Sequence, residues 1–268
     1  MYKAVFIDID GTLITSDHRI SDATVNTIRK LKEKGIIVIL VSARPLSGII
    51  DISSNLGLLR YPLASLNGAY ISLEGEIIFD SVIDSEISET LHEFLKKYDA
   101  TAIYYHHDMW FSELRNINTD YEQKITPVPI TIQPFNRTLQ SWQNGLTGPN
   151  KILVITKTTE TIEIQDHLKW QFMQHLNVYT SKPTYIEIIS NKASKVKAVR
   201  LLIKRYNIKR EEIIAIGDNF NDKEMIEFAG IGIAMGNSPS EVKAVADFTT
   251  DTNNNNGVSK VLKKIIDL

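Results

Sequence analysis

Residues 36–41 read IIVILV, apolar at every position and rich in β-branched side chains. A strand with no polar face must be covered on both sides, the condition of a strand in a parallel sheet flanked by helices. The neighbouring segments agree. AVFI (4–7) reads as a strand, and SDATVNTIRKLKEKG (21–35) follows it with Val25, Ile28 and Leu31 at helical spacing. Ser21 is placed to cap that helix and Gly35 to end it. Later, YIEII (185–189), IIAIG (213–217) and GIGIA (230–234) alternate with helical stretches near Ser194–Arg205, 222–229 and 239–246. This alternation predicts an α/β fold with a Rossmann-like parallel-sheet core.

Between these halves the chain changes character. It holds all three tryptophans (Trp110, Trp142, Trp170) and five of the six histidines. It has its own helical patterns, SEISETLHEFLKKY (85–98) and TETIEIQDHLKW (159–170), and its own strands, TAIYY and KILVIT. TPVPITIQPFN (126–136) is a proline-rich, irregular connection. An α+β domain is expected at 83–185, inserted into a core formed by 1–82 and 186–268.

Composition removes several function classes. Thirty basic and 32 acidic residues leave a formal charge of -2, without the basic surplus of a nucleic-acid binder. With no cysteine, thiolate catalysis and zinc-thiolate sites are excluded. No apolar run approaches the ~20 residues of a membrane span, and MYKAVFIDID lacks a leader pattern, so the default expectation is a cytoplasmic protein.

Four polar clusters each follow an apolar strand: IDIDGT (7–12), VSAR (41–44), SNKASK (190–195) and GDNFND (217–222). Ligands bind outside the carboxyl ends of strands in open parallel sheets, so these clusters are expected to converge. Asp8 and Asp10 lie two apart on a strand, where side chains share a face, and both can approach one cation. The competing reading of Asp10 is an Asp-Gly turn. Asp218 adds a third hard oxygen donor, a set that suits Mg²⁺. Ser42 is either a turn hydroxyl or a donor to a phosphate oxygen, and Arg44 either a surface charge or an aid to that loop. Lys195 sits in the first turn of a helix capped by Ser194, where a cation opposes the dipole unless an anion binds there. Asn221 is a further phosphate donor, and Asp222 in a first helical turn is at least a dipole partner. His106, His107 and Asp108 look like a metal cluster, but adjacent strand residues face opposite ways, which favours ordinary structural roles.

Taken together, the motifs resemble those of the haloacid dehalogenase-like (HAD) superfamily, specifically its Cof-type phosphatases with a large type-two (IIB) cap. Asp8-Ile9-Asp10-Gly11-Thr12 matches the first motif, Ser42-Ala43-Arg44 the second, Lys195 the third and Gly217-Asp218-Asn219-Phe220-Asn221-Asp222 the fourth. Asn67-Gly68-Ala69 resembles the loop before the cap, and Ala234-Met235-Gly236-Asn237 with Gly257-Val258 the tail. Val196 departs from the glycine that many relatives carry after the lysine. The resemblance implies an aspartyl-phosphate mechanism with Asp8 as nucleophile and Asp10 as acid and base. It implies Mg²⁺ held by Asp8, the Asp10 carbonyl and Asp218, with Asp222 supporting the ligands. Ser42, Lys195 and Asn221 would grip the phosphoryl group. The expected partner is a small phosphorylated metabolite, a sugar phosphate foremost, rather than nucleic acid or membrane. A phosphomutase and a non-catalytic phosphate-binding regulator are the alternatives, and oligomeric state is not expressed in the sequence.

Overall fold

The computed structural model describes residues 1–126, 128–146 and 148–267. The chain begins with β1 (Ala4–Ile7), β2 (Ile37–Val41), β3 (Leu63–Ser65), β4 (Tyr70–Leu73) and β5 (Glu76–Asp80). Next come β6 (Thr101–His106), β7 (Met109–Ser112), β8 (Thr131–Ile132), β9 (Lys151–Ile155), β10 (Leu176–Lys182) and β11 (Tyr185–Ser190). The last strands are β12 (Ile213–Gly217), β13 (Ile231–Ala234) and β14 (Phe248–Thr249). One sheet runs β14-β13-β12-β1-β2-β3-β4-β5, parallel from β14 to β3 with β4 and β5 as an antiparallel edge. The other runs β10-β11-β9-β6-β7-β8 and is antiparallel except for the short β7–β8 pair.

The apolar runs at 4–7 and 37–41 are explained by two covering layers. Val5, Ile7, Val38 and Leu40 pack with Ile28, Leu31 and Leu262 on one face of the core sheet. Ala4, Phe6, Ile39 and Val41 pack with Val199, Leu202 and Met225 on the other. Each fully buried Ile, Leu or Phe contributes about 1.5–3 kcal/mol relative to exposure. The helix Asp22–Glu33 is capped as expected, with Ser21 Oγ accepting from the Thr24 N–H, and Gly35 at its end has φ +75°. Val25 does not join the buried stripe; it is exposed, and Thr24 and Thr27 take the inward positions, with Thr27 bonded to Ser259.

The run 185–189, expected in the core sheet, is part of β11 and pairs antiparallel with β9 and β10. The difference has a physical cause. Ile186 and Ile188 pack under the helices of the insertion with Leu91 and Leu168, whereas Ile189 and Leu153 face Leu66, Ala69 and Tyr70 of the core. A cap strand covered on both faces has the same pattern as a doubly covered core strand. SNKASK therefore enters from the cap sheet rather than from a core strand. Within 126–136, Pro127 lies outside the described residues, and the remainder includes β8 and the start of the helix Phe135–Ser141. Trp110 and Trp142 are buried and Trp170 is exposed. Among the described residues, no helix is long and apolar enough to cross a membrane.

Candidate active site

β1 ends at Ile7, and Asp8 follows in extended conformation with its N–H on the Ile216 carbonyl at the end of β12. The chain then turns at Gly11 (φ +76°), and the Ile14 N–H returns to the Ile9 carbonyl. This early turn separates the two aspartates. Asp8 is 4% exposed and its carboxylate joins those of Asp218 and Asp222, one oxygen of each lying within 4.8 Å of the others. Asp10 instead presents its carboxylate to Arg44, with 2.7 Å contacts from Nε to Oδ2 and from Nη2 to Oδ1. The expectation that both side chains approach one cation by sharing a strand face is corrected here, because the strand has ended before Asp10.

Lys195 is the counter-charge of the buried acids. It is 1% exposed, and its Nζ is 2.6 Å from both Asp8 Oδ1 and Asp222 Oδ1. Ser194 caps the helix Lys195–Arg205 by accepting from the Lys197 N–H, and Val196 is buried without displacing Lys195. Asp222 Oδ2 accepts from the N–H groups of Asp218 and Asn219, so Asp222 is fully engaged in holding the loop and the lysine. Asp218 receives the Thr12 hydroxyl on Oδ1 at 2.9 Å and the Asn237 amide on Oδ2 at 3.3 Å. Gly217 is required there, because a Cβ would meet that of Asp222 at 2.4 Å.

Electrostatics follow from this crowding. Burial, opposed by Lys195 and reinforced by Asp222 and Asp218, holds the Asp8 carboxyl well above the usual carboxylate range. Burial and the Asp222 charge push Asp218 up to about 7. Burial also acts against ionised Asp10, but the Arg44 hydrogen bonds and charge outweigh it and lower its pKa. Burial opposes the Lys195 charge, yet Asp222 and Asp8 together raise its pKa. Acids held up by desolvation and by one another suit a divalent cation, which would relieve both effects. Asp8 and Asp218, which border the cavity, fit as its carboxylate ligands; Asp222 is turned to the Lys195 ammonium and the backbone N–H groups of its own loop.

Two further residues sit differently from their simplest reading. Ser42 is buried and its Oγ accepts from the Arg44 N–H at 3.2 Å, the geometry of a turn hydroxyl. Asn221 Nδ2 donates to Asn67 Oδ1 at 2.8 Å. Asn67, buried at φ +58°, in turn donates to Glu187 Oε2 at 2.7 Å. Asn67 thus links the fourth-motif loop to the cap. His106 and His107 form no metal cluster with other described residues: His106 Nδ1 bonds the Gly148 carbonyl and His107 Nε2 bonds Asp80.

A cavity of about 410 Å³ opens between core and cap over Asp8, Asp10 and Asp218. Its cap side includes Tyr105, Glu122, Lys151, Tyr185 and Glu187, none of which the motifs identify. A signal did exist for Glu187 and Lys151: charged residues in apolar strand runs (YIEII and KILVIT).

The family model for haloacid dehalogenase-like hydrolases matches residues 5–262. A Haemophilus influenzae protein held to be a phosphatase is 35% identical over 267 residues, covering 98% of each chain. The Bacillus subtilis 5-amino-6-(5-phospho-D-ribitylamino)uracil phosphatase YitU is 28% identical, over 98% of this chain and 97% of its own. The crystal structure of TM0651 from Thermotoga maritima superposes with a TM-score of 0.83 at 31% identity, covering 99% of this chain and 98% of that one. The chain belongs to the haloacid dehalogenase-like hydrolases and is a phosphatase of the Cof type.

Proposed function

We propose that this enzyme is a Mg²⁺-dependent phosphatase of small phosphorylated metabolites, sugar phosphates foremost, working through an aspartyl-phosphate. The observation that carries the reading is the buried set Asp8–Lys195–Asp222 beside Asp218, at the floor of a cavity sized for a small metabolite. Asp8 and Asp218 would hold Mg²⁺ with the Asp10 main-chain carbonyl. The bound ion would neutralise phosphoryl charge.

The chain's own residues perform the transfer. An Asp8 oxygen attacks phosphorus, and the bond from phosphorus to the leaving oxygen breaks. Asp10, as the carboxylic acid, gives its proton to that oxygen. As the carboxylate, it then takes a proton from the water that attacks phosphorus, the Asp8–phosphorus bond breaks, and inorganic phosphate leaves. In this structure Arg44 favours ionised Asp10, so the first step requires Asp10 to leave Arg44 and take up a proton from solvent before it meets the leaving group. Lys195 favours the ionised form of Asp8 against the burial that opposes it and, with Ser42 and Asn221, binds phosphoryl oxygens. Asp222 positions Lys195 and the Asp218 loop. The cap acts as a lid that excludes water and contacts the leaving group. The YitU relative, whose name specifies a phosphorylated ribityl substrate, supports a polyhydroxylated leaving group.

The test is Asp8→Asn, which keeps an acceptor for Lys195 but removes the nucleophile. Turnover of phosphate esters should fall by about a thousandfold or more, with the fold intact. Chelation should abolish wild-type turnover and Mg²⁺ restore it. A phosphomutase would instead require a bisphosphate activator. Substantial metal-independent hydrolysis by Asp8→Asn would refute the mechanism.

A further inference from the structure

The cap wall of the cavity has chemistry of its own. Pairing places Tyr105 of β6 opposite Lys151 of β9, and Leu153 of β9 opposite Glu187 of β11. With side chains alternating along each strand, Tyr105, Lys151, Tyr185 and Glu187 share the sheet face turned to the core, set among Ile103, Leu153 and Ile189. The helix Ile117–Ile125 adds Glu122, whose Oε1 accepts from the Tyr185 hydroxyl at 2.9 Å.

The charges on this wall do not balance. Glu122, Glu187 and Lys151 are 6%, 7% and 5% exposed. Lys151 is committed elsewhere: its Nζ donates to the Ala43 carbonyl at 2.7 Å, lies 4.8 Å over the Tyr105 ring and stands 3.6 Å from Glu187 Oε2. Glu187 Oε2 takes the Asn67 amide. Among the described residues, Glu122 Oε2, Glu187 Oε1 and the Tyr105 hydroxyl have no hydrogen-bond partner, and all three residues border the cavity. Two buried carboxyl groups thus face one buried ammonium, so the buried side chains of this wall hold more acid than base. The other cations of the lining stand off from the pair: Arg44 holds Asp10, His18 lies on the core side, and exposed Lys182 rests on the rings of Tyr185 and Tyr121, from where its charge reaches Glu122 more weakly than that of Lys151.

We propose that this wall is the subsite for a neutral, polyhydroxylated leaving group, and that Glu122 with Glu187 turns away leaving groups bearing a second negative charge. The inference rests on the phosphatase reading above. Sugar or polyol hydroxyls donate to the open carboxylate oxygens and accept from Tyr105, whereas a carboxylate or second phosphate there meets like charge out of water.

The experiment compares kcat/KM on matched phosphomonoesters that differ by one carboxylate, such as glucose 6-phosphate and 6-phosphogluconate, with shorter pairs of the same kind. Acetyl phosphate serves as a probe too small to reach the wall. Wild type should favour the neutral members by about tenfold or more. Glu122→Gln should narrow that ratio to about threefold or less, chiefly through a lower KM for the acids. A merely structural role would slow both members alike and leave the ratio in place. Glu187→Gln should narrow it in the same direction, which keeps the test open if Glu122→Gln does not fold. Equal rates or a preference for the acids in wild type, or ratios unchanged in both variants, overturns the proposal while acetyl phosphate is still hydrolysed. Loss of turnover on every phosphomonoester and on acetyl phosphate overturns the phosphatase reading and this inference with it.

Discussion

Lys195 Nζ stands 2.6 Å from Oδ1 of Asp8, and both side chains are buried. The same nitrogen reaches Asp222 at 2.6 Å, so two acids share one cation, with Asp218 close by. Removing one partner of a buried pair is destabilising by about 3–5 kcal/mol, because the other charge is left uncompensated. Lys195→Met should therefore lower the melting temperature by several degrees and abolish turnover. Added Mg²⁺ should recover part of the lost stability but none of the activity. A variant that melts with the wild type would show that the lysine does not balance these acids.

Metal binding should register in the folded protein without any substrate. Asp8 and Asp218 are both held up by burial and by neighbouring acids, so a divalent cation held between them would favour the fold over the unfolded chain. At a hundred times its dissociation constant, such a ligand stabilises by about 2.7 kcal/mol. Mg²⁺ should raise the wild-type melting temperature by several degrees, and Asp218→Asn should remove most of that rise. An undiminished rise in Asp218→Asn would place the cation elsewhere.

Acid should loosen the cap through a buried histidine. Burial, with a smaller contribution from His107, holds His106 below its ordinary value of 6.5. Its folded state binds protons less readily than the unfolded chain, so its contribution is complete above about pH 6.5 and lost as pH falls below it. Asp218, pushed up to about 7, acts with the opposite sign, favouring the fold as pH falls. The histidine effect is therefore read as a difference. Between pH 7.5 and 5.5 the wild-type melting temperature should shift downward relative to His106→Gln. Parallel curves for the two proteins would remove His106 from the account.

The parts of the site that the sequence reveals are those where polarity interrupts an apolar strand at its end. Asp8 after AVFI and Asp218 after IIAIG fall in this class, and Lys195 announces itself by standing at the wrong end of a helix dipole. What escapes depends on where strands stop and which sheet they join. The end of β1 at Ile7 decides that Asp10 meets Arg44 rather than the other acids. The pattern of β11 does not say that its second covering layer is the core. Asn67 and Glu122 are single polar residues whose partners, Asn221 with Glu187 and Tyr185, lie 63 to 154 positions away, beyond any local pattern.

The Asp-Gly pair that first suggested a plain turn gives the last prediction. Gly11 has φ +76°, and a Cβ built on it falls 2.3 Å from Asp218 Oδ2. The Gly11 carbonyl also accepts from Asn237 Nδ2, the amide that contacts the same Asp218 oxygen. Alanine at this position meets two penalties: a left-handed conformation worth about 1–2 kcal/mol, and a carboxylate that must move. Because Asp218 is also tied to Thr12, its displacement disturbs the acidic cluster rather than the packed layers beneath it. Gly11→Ala should therefore cut turnover by at least about tenfold and raise the Mg²⁺ concentration needed for half-maximal rate. The melting temperature should fall by only a few degrees. A folded Gly11→Ala enzyme with wild-type rate and wild-type Mg²⁺ dependence would mean that the close approach of this turn to Asp218 has no part in building the site.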